Sequence, residues 1–234
     1  MNANDPNVTL LEVVAERLGD DLREQMVFVG GAVAGLLITD PAQPAIRATD
    51  DVDMICHAVA LADYHRVEKA LRQRGFAQDM RPDAPICRWR IGEVAVDVMP
   101  TLESVLGFSN RWYPLALETA AQVALPSGRP IRLITAPAFI ATKLEAFDGR
   151  GNGDFLFSHD LEDILAVLDG RASLVEECRA STAELRAYLR ERFETLLATP
   201  SFVDALAGHL PGDEASQQRL PELKEKLRLI TQLS

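Results

Sequence analysis

The sequence predicts an α+β protein, with an N-terminal mixed sheet and flanking helices followed by a C-terminal helical bundle. Strand-length apolar runs alternate with helical patterns as far as Ile134. From Pro137 onward the pattern is helical almost to the end. These two observations place a division near residue 130, with a core domain over 1–130 and a mostly helical domain over 131–234.

Apolar periodicity and turn residues define the individual elements. Strands are predicted over 26–29, 52–56, 86–91, 94–98 and 131–134. Helices are predicted over about 9–22, 32–37, 61–74, 137–147, 160–168, 174–197, 202–206 and 221–233. Gly92-Glu93 predicts a hairpin between two strands, and residues 149–153 are expected to form a loop.

Composition excludes several classes of protein. The chain is 47% hydrophobic and 25% charged, as in ordinary globular proteins. Its start is polar and acidic, and no apolar run approaches the ~20 residues of a membrane span, so we expect a cytoplasmic protein without a membrane partner. A net charge of −11 disfavours binding to duplex DNA, which depends on cationic side chains that neutralise phosphates. The three distant cysteines match neither a disulfide framework nor a zinc site, which predicts plain buried thiols.

The most informative segment joins a glycine turn to a pair of carboxylates. Val27-Phe-Val is followed by Gly30-Gly31, a predicted helix, a loop and then Asp51-Val-Asp53 in a strand. Period-2 geometry places Asp51 and Asp53 on one face. Two neighbouring carboxylates repel each other unless a cation lies between them, and Mg²⁺ prefers such oxygen ligands. The paired glycine lets a phosphate approach the backbone closely.

This order of elements resembles the DNA polymerase β-like nucleotidyltransferase superfamily. The resemblance implies an NTP as substrate, two Mg²⁺ ions held by Asp51 and Asp53, and contact of the Gly30-Gly31 turn with the triphosphate. Thr49, in the same segment, is a further candidate for nucleotide binding. The superfamily commonly has a third carboxylate on a neighbouring strand, and Asp97 is the candidate for that metal ligand and for catalysis.

The second half resembles the AbiEii/AbiGii-type nucleotidyltransferases, which include toxins of toxin–antitoxin and phage-defence systems. The matching residues are Lys143, Leu144, Ala146, Arg150, Asp160 and Asp163. The resemblance covers residues 27–170. It implies an antitoxin protein as a possible partner and a C-terminal domain that completes the active site.

Physical roles follow for three of these residues. Lys143 offers a point charge to phosphate oxygens, while Arg150 contacts phosphates or the acceptor, or simply joins two helices. Asp160 is either a general base, a carboxylate beside the metal, or the N-terminal cap of its helix. Two departures from the family pattern are Gly31 in place of a serine and His159 in place of a basic residue.

Three functions are compatible with these residues. The leading hypothesis is Mg²⁺-dependent transfer of a nucleoside monophosphate to a tRNA, a protein hydroxyl or a small molecule. The acidic charge favours a second enzyme, a nucleotidyltransferase that modifies a cationic aminoglycoside-type antibiotic. A non-catalytic nucleotide-binding module is the third. Arg88 and Arg90 share one strand face and could lie near the triphosphate.

Overall fold

A computed structural model describes residues 5–43, 46–151 and 153–234. The chain divides into two compact units. The sheet unit comprises Asp5–Val33 and Arg47–Thr135, and the helical unit comprises the described residues of Ala34–Ile46 and Ala136–Ser234. The proposed domain boundary near residue 130 stays a prediction.

A mixed β-sheet forms the sheet unit. In the described part of the chain its strands are β1 (Met26–Val29), β2 (Asp51–Cys56), β3 (Ala77–Gln78), β4 (Arg88–Ile91), β5 (Val94–Pro100), β6 (Ala121–Ala124) and β7 (Pro130–Leu133). Their spatial order is β3-β4-β5-β2-β1-β7-β6. β2 runs parallel to β5 and β1 runs parallel to β7, while the other neighbours are antiparallel. The predicted α+β class with a mixed sheet is confirmed.

Helices lie in both units. Those of the sheet unit are α1 (Val8–Arg23), α3 (Leu61–Gln73), α4 (Glu103–Leu106) and α5 (Tyr113–Thr119), numbered in chain order with α2 (Ala34–Leu37). The helical unit contains α2, α6 (Ala136–Arg150), α7 (His159–Gly170), α8 (Leu174–Ala180), α9 (Ala183–Leu197), α10 (Pro200–Ala205), α11 (Glu214–Gln217) and α12 (Leu220–Ile230). None of the described helices is both long enough and apolar enough to cross a membrane.

The centre of the sheet is buried because its strands carry nearly continuous apolar runs. All four residues of β1 are buried, and β2 and β5 bury most of theirs. α1 contributes its apolar side, which includes Leu11, Val14 and Leu18 at 0% exposure. On β2 the two positions that are only half-buried are those of Asp51 and Asp53.

α6 is a largely buried helix of the helical unit. Most of its residues from Ala136 to Leu144 and also Phe147 are buried, so it is apolar on nearly all sides. It contacts α7, α8 and α9, and α12 contacts α7 and α9. A charged residue on α6 is therefore surrounded by protein unless it lies near the helix end.

Several boundaries differ from the prediction. The expected helix over 174–197 is two helices, α8 and α9, because Thr182 caps α9 by accepting a hydrogen bond from the Leu185 N–H. The residues expected as a helix over 32–37 form a short 3₁₀ helix, Gly31–Val33, and then α2. Helix α6 continues through Arg150, so the loop predicted from residue 149 begins later, and residue 152 of that loop lies outside the described residues.

Two further local predictions, the hairpin and the buried thiols, agree with the structure. β4 and β5 form the expected hairpin, and Gly92 adopts a left-handed conformation with φ of 58° at its turn. Cys56, Cys87 and Cys178 are free, buried thiols, and burial raises the pKa of each to about 12.

Candidate active site

Three carboxylates converge on one side of the sheet. β2 and β5 run parallel with Asp53 opposite Asp97, and Asp51 lies two residues before Asp53 on the same face. One carboxylate oxygen from each of the three residues lies within 4.8 Å of the other two. The side chain of Asp97 is 11% exposed and that of Asp51 is 35% exposed. The structure thus brings together the three aspartates that the sequence indicated as metal ligands.

Gly30 makes room for one of these carboxylates. β1 and β2 are antiparallel with Val29 opposite Asp53, so the turn after β1 lies against the Asp53 side chain. A Cβ atom at Gly30 would lie 1.9 Å from Oδ2 of Asp53, and Gly30 has a φ of +72°. Both observations require a glycine. The turn has a structural role toward Asp53 that the sequence did not reveal.

The approach of the chain to β2 is fixed by Asn7, which is 0% exposed. The Thr49 N–H donates a hydrogen bond to Asn7 Oδ1 at 2.9 Å, and the Asn7 amide donates to the carbonyl of Arg47 at 3.1 Å. The Thr49 hydroxyl donates to the backbone carbonyl of Asp51 at 3.1 Å. Thr49, the candidate for nucleotide binding, is therefore tied to the segment that carries Asp51. Sequence reasoning missed Asn7, because its partner lies some forty residues along the chain.

Arg88 is a cation that contacts two of these carboxylates. Its Nε and Nη2 atoms donate to the two oxygens of Asp97, each at 2.7 Å, and Nη2 also donates to Oδ2 of Asp51 at 2.8 Å. These contacts arise because β4 and β5 are antiparallel with Arg88 opposite Asp97. The hydrogen bonds with Asp97, and then the charges of Asp97, Asp51 and Asp53, raise the pKa of the Arg88 guanidinium above its ordinary value.

Arg90, on the same strand, lies elsewhere. Its Nη2 donates to the backbone carbonyl of Glu93 at 2.9 Å, and its guanidinium is 4.0 Å from Asp79. Arg88 and Arg90 share one strand face as expected, but of the two Arg88 contacts the carboxylate cluster, and their proximity to a triphosphate stays a prediction. We call Asp51, Asp53, Asp97 and Arg88 the sheet cluster.

A second charged cluster lies within the helical unit, where α6 faces α7. Lys143 Nζ lies 3.1 Å from Oδ1 of Asp160 and 2.7 Å from Oδ2 of Asp163. Arg150 donates to Asp160 through Nε at 2.9 Å and Nη2 at 2.7 Å. We call these four residues the helix cluster.

The members of the helix cluster differ in exposure. The side chains of Lys143, Asp160 and Asp163 are less than 10% exposed, whereas that of Arg150 is 71% exposed. Burial raises the pKa of Asp160, but hydrogen bonds from Arg150 and the charges of Lys143 and Arg150 outweigh it, so this pKa lies below the ordinary value. Lys143 is a buried member of an ion-pair network, and the interpretation of it as a surface lysine is excluded.

The cap interpretation of Asp160 is wrong. Ser158 is the N-cap of α7 and accepts a hydrogen bond from the Leu161 N–H, while Asp160 points to Lys143 and Arg150. His159, which replaces a basic residue of the family pattern, has a 68% exposed side chain and pairs with Glu162 at 3.1 Å. His159 therefore does not take part in the helix cluster.

The candidate residues thus form two sets, each inside one unit. Gly30, Gly31, Thr49, Asp51, Asp53 and Asp97 belong to the sheet unit. Lys143, Arg150 and Asp160 belong to the helical unit. Their catalytic, nucleotide-binding and metal-binding roles stay predictions.

Comparison with known proteins gives structural neighbours alone. No protein-family model and no curated protein sequence matches the chain. The chain is similar to the solution structure of the antibiotic-resistance factor ANT(2'')-Ia, with a TM-score of 0.46 and 18% identity, covering 82% of this chain and 95% of that chain. JHP933 from Helicobacter pylori gives a TM-score of 0.45 and 15% identity, covering 96% and 90%.

A crystal structure of ANT(2'')-Ia with adenylyl-2''-tobramycin gives a TM-score of 0.44 and 19% identity, covering 80% of this chain and 98% of that chain. Likeness at this level assigns neither a family nor an activity to the chain. Functional conclusions therefore rest on the two clusters.

Proposed function

We propose that the chain is a Mg²⁺-dependent nucleotidyltransferase that moves a nucleoside monophosphate from an NTP to an acceptor and releases pyrophosphate. The observation that carries this proposal is the convergence of Asp51, Asp53 and Asp97 on one side of two parallel strands, with oxygens within 4.8 Å of one another. Burying like charges together is unfavourable, so such an arrangement calls for a cation.

The donor set fits Mg²⁺. All three groups are carboxylates, the hard oxygen ligands that Mg²⁺ prefers, and few enough to leave coordination positions for phosphate oxygens. When bound, one or two Mg²⁺ ions would neutralise the charge that develops on the α-phosphate and the attacking oxygen during in-line displacement.

Each residue of the candidate site would have its own role in binding or catalysis. Asp51 and Asp53 would hold the metal, and Gly30 keeps Asp53 in place because no side chain competes for its position. Asp97 would act as the third ligand or accept the proton of the acceptor hydroxyl. Thr49 would position the segment that carries Asp51, through its hydrogen bond to that residue's carbonyl.

Lys143, Arg150 and Asp160 are proposed as parts of the same activity, in the domain over 131–234. Support comes from their mutual contacts, in which Asp160 holds both cationic side chains within 3.1 Å. In this arrangement Asp160 orients the cations, Arg150 presents the exposed charge to phosphates, and Lys143 fixes Asp160 from the buried side.

The finer identity follows from motifs alone. We propose an AbiEii/AbiGii-type enzyme of the cytoplasm, acting on tRNA or a protein hydroxyl, with an antitoxin as partner, on the strength of Lys143, Arg150 and Asp160. An aminoglycoside is the second acceptor, because a net charge of −11 attracts a polycation and repels RNA.

One experiment tests the activity and the acceptor together. Label from each α-³²P-NTP is offered with Mg²⁺ to total tRNA, to the protein itself and to aminoglycosides. We expect one acceptor to be labelled by the wild type and not by the Asp51→Asn, Asp53→Asn double variant. Asp50→Asn is the matched control, since Asp50 is exposed and adjacent in sequence, and lies outside the three-carboxylate group.

Three outcomes separate the hypotheses. Labelled tRNA or protein supports the leading proposal, and labelled aminoglycoside supports the second. NTP binding that needs Asp51 and Asp53, without transfer to any acceptor, leaves the non-catalytic binding module. Equal labelling by the double variant and the wild type would remove the sheet cluster from the reaction.

A further inference from the structure

The sheet cluster already contains a cation. Arg88 makes three hydrogen bonds to two of the three carboxylates, with donor–acceptor distances of 2.7 to 2.8 Å. Its side chain is 22% exposed, so its charge is partly shielded from water. A guanidinium in this position compensates the repulsion among the carboxylates, which is the same electrostatic task that a divalent metal would perform.

The two ion pairs of Arg88 are unequal. With Asp97 it makes a bidentate fork through two donors and both carboxylate oxygens. With Asp51 it makes a single hydrogen bond, through the Nη2 atom that also bonds Asp97. Bidentate pairs are stronger and hold their geometry better than single contacts. The bond to Asp51 is therefore the one that breaks more readily.

The single bond also occupies a ligand atom. Oδ2 of Asp51 cannot accept the hydrogen bond from Arg88 and coordinate a metal ion from the same side. A guanidinium within a few ångströms of a divalent cation also repels that cation. Asp97 differs, because Arg88 is opposite it in the β4–β5 register and can stay on its fork while the Nη2 contact with Asp51 is lost.

We propose that Arg88 is a positioning residue with two states: it holds Asp51 and Asp97 together when no metal is bound, and it releases Asp51 to a divalent cation while continuing to orient Asp97. This inference rests on the proposed function, because it needs Asp51 and Asp53 to bind a metal. It makes Arg88 the residue that sets the metal concentration at which the site becomes loaded.

Two consequences distinguish this role from a merely structural one. Removing the charge of Arg88 should tighten metal binding, because the competing cation is gone. It should also lower the stability of the metal-free protein, because Asp51 and Asp97 then lose the guanidinium that lies between them. The two effects have opposite signs, whereas simple damage to the fold would weaken both properties.

The test uses Mn²⁺, which accepts oxygen ligands as Mg²⁺ does and whose free concentration is measured directly by electron paramagnetic resonance. Wild type, Arg88→Gln and Arg88→Lys are titrated, and thermal unfolding is followed in EDTA and in Mn²⁺. Arg90→Gln is the matched control, because it removes the same charge from the same strand, and Arg90 contacts Glu93 and Asp79 instead of the three aspartates.

We expect Arg88→Gln to lower the Mn²⁺ dissociation constant roughly tenfold or more, as expected for removing a unit charge within a few ångströms of the ion. In EDTA, the melting temperature of Arg88→Gln should be lower than that of the wild type. The increase in melting temperature on adding Mn²⁺ should be larger for Arg88→Gln than for the wild type. The dissociation constant and the melting temperature of Arg88→Lys should lie between those of Arg88→Gln and the wild type, because an ammonium keeps the charge but cannot form the bidentate pair. Arg90→Gln should match the wild type in both measurements.

Equal dissociation constants for Arg88→Gln and the wild type would overturn the inference while leaving the metal site in place. If Arg88→Gln does not fold, Arg88→Lys decides, and a wild-type dissociation constant for it overturns the inference. If no variant binds Mn²⁺, or if Asp51→Asn and Asp53→Asn bind it as well as the wild type, the metal site itself is wrong and both proposals fall.

Discussion

The sheet cluster and the helix cluster both combine aspartates with cationic side chains, but in different proportions. The sheet cluster sets three carboxylates against one guanidinium, whereas the helix cluster sets two carboxylates against one ammonium and one guanidinium. The four residues of the sheet cluster therefore carry a net negative charge suited to a divalent cation, whereas the charges of the four residues of the helix cluster balance. A carboxylate site for a metal is recognised by this excess and not by the number of acidic residues alone.

The two clusters also differ in how they are built. The sheet cluster is brought together by strand register. Asp97 on β5 is paired with Asp53 on β2 on one side and with Arg88 on β4 on the other. The helix cluster depends on two helices in contact, with Lys143 on a buried face and Arg150 at the exposed end of α6. Loss of charge in the balanced cluster should therefore cost stability alone, whereas in the sheet cluster it should also change how tightly the site binds a metal.

The largest effect on stability is expected for Lys143→Met. It leaves Asp160 and Asp163 buried without their shared ammonium, and breaking one partner of a buried ion pair costs about 3–5 kcal/mol in the free energy of unfolding. Urea denaturation measures this loss. Lys69→Met is the matched control, because Lys69 is exposed on α3 and its replacement should change the free energy little.

A double variant sharpens this prediction. Lys143→Met combined with Asp163→Met replaces both charges by apolar side chains, and such replacements are often neutral or stabilising. We expect it to regain most of the stability lost by Lys143→Met alone. A loss for Lys143→Met no greater than that for Lys69→Met would show that the helix cluster is not the balanced, buried network described above.

The next effect is expected for Gly30→Ala, which tests the sheet cluster through its geometry instead of its charge. The new Cβ would lie 1.9 Å from Asp53 Oδ2, so Asp53 must move, and the positive φ adds strain. We expect a loss of about 2–3 kcal/mol together with loss of Mn²⁺ binding. The measurements are urea denaturation and Mn²⁺ titration of the same preparation.

Gly92→Ala separates strain from displacement. Gly92 also has a positive φ, of +58°, but a Cβ atom there would meet nothing within 4 Å. Its replacement should cost only about 1–2 kcal/mol from backbone strain and should leave Mn²⁺ binding unchanged. Equal metal binding by Gly30→Ala and Gly92→Ala would contradict the role assigned to Gly30.

Local patterns predicted most of the elements and part of the sheet cluster. The Asp51-Val-Asp53 spacing sets a shared face by itself, because the strand period is two. β6 was missed because Ala121–Ala124 is mostly exposed and lacks apolar alternation, so its pairing with β7 alone makes it a strand. The break between α8 and α9 was missed because Thr182 interrupts a run whose apolar spacing otherwise continues.

The contacts of the sheet cluster were beyond local patterns because they depend on register between distant segments. That Asp53 fills the space beside Gly30 follows from the antiparallel pairing of β1 with β2. Arg88 forms its bidentate pair with Asp97 because β4 pairs with β5. It also contacts Asp51 because β5 pairs with β2. The sequence indicated the three carboxylates and placed Arg88 and Arg90 on one strand face, but no local pattern indicated that Arg88 joins Asp97 to Asp51.

The smallest effect is expected for Arg150→Gln, which removes the exposed cation of the helix cluster. Arg150 has a 71% exposed side chain, so its pair with Asp160 should contribute less than about 1 kcal/mol at pH 7.

The pH dependence then identifies the source of that contribution. Arg150 helps to hold the pKa of Asp160 below its ordinary value of 3.8, so the added stability is present above that pH and is lost as the pH falls through the lower, folded-state pKa. The free energies of unfolding of wild type and Arg150→Gln, measured by urea from pH 7 to pH 3, should therefore converge on acidification. A difference that stays constant over this range would mean that Arg150 stabilises the protein through packing of its side chain and not through the charge of Asp160.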